Sequence, residues 1–309
     1  MIQNSLDTGI IPEDWKTANI TPIHKGGSMH QASNYRPISL TSLICKIMEA
    51  LLRDEIVHHL ENNRLIHESQ HGFRRGRSCL TNILAFLDKV TDVVDKSSGV
   101  DVIFLDLAKA FDKVPHKRLL LKLKDHGIDG KVLQWIENWL KGRKQSVHVK
   151  GFASNWLPVT SGVPQGSGLG PVLYLIYVND MDSDLHSWIL KFADDTKIFN
   201  GIKDESDCAM VQQDLNTLQN WATKWEMSFN ASKCKVMHIG KQLGTGPYEY
   251  VINGQKLEVV TKEKDLGIIL SNNLKVADQC AAACAKANRM LGLINRNIEN
   301  KNKFIMLQL

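Results

Sequence analysis

An α+β fold is predicted for this chain, and three observations predict it. Apolar residues recur at helical spacing in separate stretches, at 43–60, from Ser78 to Val94, and at 117–126, 130–141 and 206–226. Runs of β-formers such as 100–107 (VDVIFLDL) and several shorter strands fall between them at mixed spacing, not in a regular strand–helix alternation. The chain has 309 residues, 43% of them hydrophobic and 23% charged, and its mean hydropathy is −0.21. That is ample core for one large domain or two lobes without disulfide staples.

Residues 1–42 are punctuated by Pro12, Pro22, Gly26, Gly27 and Pro37, which predicts short strands and loops rather than helix. Ser78 is the expected N-cap of a helix carrying Leu80, Ile83, Leu84, Leu87, Val90 and Val94 on one face, and Asp129 that of the 130–141 helix. Alternation at 145–150 and 156–160 suggests a hairpin, after which a Gly-rich turn leads into the apolar stretch 172–178. A second hairpin centres on Ala193, Asp194 and Asp195. Beyond helix 206–226, short strands are expected near 236–239, 249–252, 256–260 and 266–270, with a tight turn at Asn253-Gly254, and an alanine-rich helix starts at about 276.

Composition narrows the function classes. Thirty-eight Lys and Arg against 33 Asp and Glu leave a net charge of +5, which permits a nucleic-acid partner without implying one. The six cysteines lack metal-site spacing and fit reduced thiols in a cytosolic or nuclear protein; Cys280 and Cys284 sit one helical turn apart among alanines, without the two further ligands zinc would need. No apolar run approaches the ~20 residues of a membrane helix, and the polar residues after Met1 argue against a signal peptide.

Three constellations carry chemistry. Asp106 ends an apolar strand, and the Asp194-Asp195 pair is flanked by Phe192, Ile198 and Phe199; carboxylates in such places are costly unless a cation compensates. Hard, oxygen-seeking Mg²⁺ answers both, although the pair alone also reads as a solvated turn. Residues 161–171 (SGVPQGSGLGP) put the Gln165 amide beside glycine backbone that a ligand can approach closely. Residues 70–78 (QHGFRRGRS) place Arg74, Arg75 and Arg77 just before a helix, a phosphate-binding arrangement or an exposed basic turn.

The order of these segments resembles the reverse transcriptase domain of non-LTR (LINE-class) retrotransposons, especially the jockey-like group. The resemblance rests on 34–40 (NYRPISL), 70–78, 104–112 (FLDLAKAFD), 162–166 (GVPQG), 192–195 (FADD) and Asn230-x-x-Lys233, and runs from about Ser5 to the last residue. It implies a right-hand polymerase: fingers at 1–97 with their amino-terminal part missing, a palm at 98–270 with a fingers insertion at about 113–150, and a truncated thumb from 271. It implies RNA-directed DNA synthesis with dNTPs, template RNA and a DNA primer, with a second element-encoded protein as a further candidate partner. The expected place is the nucleus or a cytoplasmic ribonucleoprotein. Asp106, Asp194 and Asp195 would hold two Mg²⁺, with Mn²⁺ as a substitute. Phe111 would exclude the 2′-hydroxyl, Gln165, Lys25 and Arg36 would line the nucleotide site, and Lys233 would protonate pyrophosphate, unless it is an ordinary surface lysine.

Departures from the family pattern are Phe192 in place of a tyrosine, Gly168 in place of a bulkier residue, and Asp265 before Leu266-Gly267 in place of an aromatic. No endonuclease segment precedes Met1, so a fragment of a longer reading frame is expected, and a non-catalytic nucleic-acid-binding remnant is the alternative. Beyond Gln279, Lys286, Arg289, Arg296, Lys301 and Lys303 face a single acid, Glu299. The helix there would turn this charge to phosphate and seat on the palm through Met290, Leu291 and Ile294, or would simply be a solvated basic helix.

Overall fold

The computed structural model describes residues 2–241, 243, 244, 246–298 and 302. Its first half runs α1 (Ile2–Thr8), β1 (Thr17–His24), β2 (Tyr35–Leu40), α2 (Leu43–Asn62), α3 (Cys79–Asp95), β3 (Gly99–Asp106), α4 (Ala110–Lys113), α5 (His116–Asp125), α6 (Gly130–Leu140) and β4 (Lys144–Val149). Then follow β5 (Phe152–Ala153), β6 (Leu157–Pro158), α7 (Gly170–Tyr177), β7 (Trp188–Phe192), β8 (Asp195–Ile202), α8 (Glu205–Lys224) and β9 (Lys235–Gly240). The last are β10 (Val251–Ile252), β11 (Gln255–Lys256), β12 (Glu258–Val259), β13 (Lys262–Asp265), β14 (Ile268–Ser271) and α9 (Ala277–Asn297).

β3 is apolar between its two acids because it is the middle strand of a five-stranded sheet ordered β12-β9-β3-β8-β7 and is covered on both faces. Against one face, Phe86 and Val90 of α3 pack on Val100, Val102 and Phe199. Against the other lie Ile103, Leu105 and Ile198 with the helices α5 to α8. α7 explains the apolar stretch 172–178: every residue of Gly170–Tyr177 except Pro171 is buried, as suits a helix that is hydrophobic all round. A second sheet, β2-β1-β4-β5 with β6 also on β4, is built on the β1–β2 hairpin and the parallel β1–β4 pair. Among the described residues no helix is long and apolar enough to cross a membrane.

Four expectations are corrected. Residues 1–42 do contain a helix: α1 precedes the first proline, ends at Gly9 with φ +70°, and docks on α6, where the Trp135 indole donates to Ser5 Oγ at 3.1 Å. The strand expected at 266–270 begins only at Ile268, because Leu266 and Gly267 (φ +47° and +88°) form the tight turn between β13 and β14. Asp129 precedes α6 but its side chain caps nothing, whereas Ser78 caps α3 in a reciprocal capping box with Thr81. Finally, Met290 and Leu291 stay half exposed and no residue of α9 is buried. α9 is held instead at its start, where Asp278 takes Lys262 at 2.6 Å and Ser271 Oγ at 2.9 Å. Glu299, Lys301 and Lys303 lie outside the described residues.

Candidate active site

Antiparallel register sets Asp106, the last residue of β3, directly opposite Asp195, the first of β8. Directly opposed residues share a sheet face, so carboxylates far apart in sequence meet at one end of the sheet. Asp194 precedes Asp195 in the two-residue turn that joins β7 to β8, where Ala193 has φ +56°. That uncommon conformation for a residue with a Cβ is clamped from outside. Gln70 Oε1 accepts from the amides of Ala193 (3.0 Å) and Gly72 (2.8 Å). Segment 69–71 runs along β7, with Lys191 N donating to Ser69 O and His71 N to Lys191 O. Beneath it the fully buried Lys191 ammonium pairs with Asp182.

Crowding has an electrostatic signature. Asp195 is exposed, yet the protein around it displaces enough water to raise its pKa, and Asp194, Asp265 and Asp106 add repulsion that brings it to about 6. Burial likewise raises Asp106, against the pull of Lys233, whose Nζ lies 3.7 Å from its carboxylate. Lys25 lies near enough to draw the pKa values of Asp106 and Asp112 downward, against the burial that raises both. Repelling carboxylates suit a hard divalent cation, and the neighbouring Cys234 is a buried thiol whose Sγ accepts from Asp106 N at 3.4 Å. They are not a finished cage: among the described residues no three acidic, His or Cys side chains converge closely enough to enclose a metal. Mg²⁺ is commonly held by one or two carboxylates plus substrate phosphates, so an open set fits a cation that arrives with its substrate.

Beside the carboxylates, residues 111–112 and the Gly-rich loop form one unit. The Phe111 ring stacks on Tyr174, centroids 4.3 Å apart, and Phe111 O accepts from Val163 N. Gln165 Nε2 donates to Asp112 Oδ1 at 3.0 Å, and Ser161 Oγ to Asp112 O. A Cβ on Gly162, at φ +87°, would lie 2.6 Å from Asp112 O, so the close approach requires glycine. On the far side of the loop Glu49, fully buried on α2, accepts from Gly168 N at 2.7 Å, a contact that braces the turn at Gly168.

The structure thus brings together Asp106, Asp194, Asp195, Lys233 and Lys25, with Phe111 and Gln165 on the adjoining loop unit. Arg36 is exposed on β2, and the period of two gives it the same face as Lys25. Arg74 is engaged, its guanidinium donating to the carbonyls of His67 and Gln70, and Arg77 pairs with Glu68. Arg75 stays exposed beside Phe73. Lys286, Arg289 and Arg296 are exposed along α9. Sequence reasoning missed the polar supports Gln70, Glu49, half-buried Asp112 and the Lys191–Asp182 pair. Only Glu49 carries a signal, as an acid beside Cys45, Met48, Leu52 and Ile56, which recur on the buried side of α2.

A central sheet bearing carboxylates at the end of β3 and in the β7–β8 turn, accompanied by a second five-stranded sheet that carries basic residues, is the right-hand polymerase architecture. The chain belongs to the reverse transcriptase (RNA-dependent DNA polymerase) family, whose profile matches residues 23–292. It is 31% identical over 287 residues to the RNA-directed DNA polymerase from mobile element jockey of Drosophila melanogaster, covering 89% of this chain and 31% of that protein. It is 32% identical over 270 residues to the probable RNA-directed DNA polymerase from transposon X-element of the same fly, covering 85% of this chain and 30% of that protein. This chain therefore spans under a third of the length of either relative. Among solved structures it is similar in fold to apo telomerase from Candida tropicalis truncated from its C-terminal domain, with a TM-score of 0.60 and 14% identity over 86% of this chain and 55% of that one.

Proposed function

We propose that this chain copies retroelement RNA into DNA, extending a DNA primer with dNTPs. The observation that carries the proposal is the direct pairing of Asp106 with Asp195 beside Asp194, with Lys233 3.7 Å from the Asp106 carboxylate. Asp106, Asp194 and Asp195 would hold two Mg²⁺, which when bound activate the primer hydroxyl and stabilise the leaving oxygen. Lys233, largely exposed, then gives a proton to the departing pyrophosphate. Lys25 and Arg36 hold the triphosphate, and Gln165 lines the sugar and base. In this reading residues 1–97 are fingers, 98–270 palm with a fingers insertion at about 113–150, and 271–309 the beginning of a thumb. The test is primer extension on an RNA template: dNTP incorporation that requires Mg²⁺ supports the proposal. A protein that binds RNA–DNA hybrid yet never extends it overturns it.

Sugar choice follows from Phe111, which cannot retreat because Tyr174 lies behind it. Phe111→Val opens space for a 2′-hydroxyl, and the ratio of rNTP to dNTP incorporation is expected to rise by about tenfold or more. An unchanged ratio would return Phe111 to a packing role.

Affinity for RNA–DNA hybrid should fall steeply with salt. Replacing Lys286, Arg289 and Arg296 together with glutamine should flatten the slope of log K against log salt by about two to three, at ~0.9 per phosphate, and weaken binding alike on every template sequence. An unchanged slope would show that α9 does not meet the backbone, leaving Arg75 and its neighbours as the contact.

A further inference from the structure

We infer that Gln70 is a positioning residue for the carboxylate-bearing turn, acting by fixing the Ala193 peptide rather than by touching substrate. The inference rests on the polymerase reading above and adds to it a residue from a distant segment. Four features carry it. Gln70 is 2% exposed, so its Oε1 has no water to compete with the two amides it accepts from. One of those amides, Ala193 N, belongs to the residue at φ +56° that reverses the chain immediately before Asp194, and an unsupported αL residue with a Cβ relaxes readily toward other conformations. The approach is also at its steric limit: a Cβ on Gly72 would lie 2.5 Å from Ala193 N. Finally, the segment is stiff on its own account, since Arg74 Nη1 donates to the carbonyls of His67 and Gln70, and Asn82 Nδ2 donates to Lys191 O on β7 at 3.1 Å. The segment that carries exposed Arg75 and Phe73 is thereby joined to the turn that carries Asp194. Without the Gln70 acceptor, two buried amides lose their partner and Asp194 loses the restraint on its direction.

The experiment uses the full 309-residue chain and two variants that disturb the contact differently. Gln70→Met keeps the volume and removes the acceptor; Gly72→Ala keeps the acceptor and pushes the backbones apart. Amide hydrogen exchange without metal or nucleic acid is read at Ala193, and kcat, dNTP KM, Mg²⁺ half-saturation and hybrid affinity are measured in parallel. In both variants the Ala193 amide should exchange about tenfold faster or more. With the reacting groups displaced, kcat should drop by about 10²-fold, and Mg²⁺ half-saturation should rise while dNTP KM and hybrid affinity stay unchanged. Wild-type exchange and wild-type kcat in folded variants would overturn the inference. So would loss of the whole fold in both, which would make the contact a general structural support. If the wild-type chain proves inactive, the polymerase reading fails on its own, and exchange at Ala193 still decides whether Gln70 holds the turn.

Discussion

Asp106→Ala and Asp194→Ala each bring Mg²⁺-dependent primer extension to background while leaving affinity for RNA–DNA hybrid within about twofold of wild type. Hybrid affinity is set by contacts to many phosphates, none of which a carboxylate supplies. The chemical step, by contrast, depends on cation held at the β3 end and the β7–β8 turn, and losing several kcal/mol of charge stabilisation slows it by about 10³-fold or more. The structural cost of either change is small, because removing one carboxylate relieves the repulsion that helps raise its neighbour Asp195 to about 6. Extension assays and hybrid titrations on the same preparations check this, and equal extension by wild type and variants would remove these carboxylates from the chemistry.

The largest stability effect is expected away from the chemistry, at Asp182→Ala. Lys191 is fully buried, and besides Asp182 its ammonium donates to the carbonyls of Val178 and Asn179, each at 3.3 Å. Asp182 also takes Ser69 Oγ and His67 Nδ1, so it ties the 67–71 segment to the same lysine. Leaving that ammonium unpaired costs about 3–5 kcal/mol, a large part of the roughly 5–15 kcal/mol that holds an ordinary domain together. Urea unfolding should show the midpoint falling with little change of slope. Replacing both partners together, Asp182→Leu with Lys191→Met, should recover most of the loss, because two apolar groups of similar volume leave no charge stranded. A double variant as unstable as the single would mean that Ser69 and His67, rather than the lysine, are what Asp182 supports.

The sequence discloses this protein unevenly, and the reasons are physical. Asp106 and the Asp194-Asp195 pair are legible because a charge set in an apolar strand or hairpin is conspicuous whatever surrounds it. The helices α3, α6 and α8 are legible because each turns a regular apolar stripe to the core. By contrast, α1 depends on docking to α6, and a helix that short has too little intrinsic stability to announce itself. Gln70 is silent for a related reason: nothing near residue 70 indicates that its amide will meet the backbone of residue 193. For α9, the apolar residues Met290 and Leu291 suggested a seat on the palm, but the structure anchors the helix through Asp278 at its start.

Placing β3 in the middle of its sheet also governs when the site can come into being. Both of its neighbours are drawn from far later in the chain: β8 meets it from residue 195 onward and β9 from residue 235. Asp106 is therefore synthesised long before the strand it must face, and no nascent chain shorter than that can assemble the carboxylate cluster. Because such long-range pairings must close large loops before they gain contacts, the central sheet should be the slow step of refolding, behind α3 and the β1–β2 hairpin. During translation the apolar β3 waits unpaired, the interval in which this protein is most exposed to misassociation.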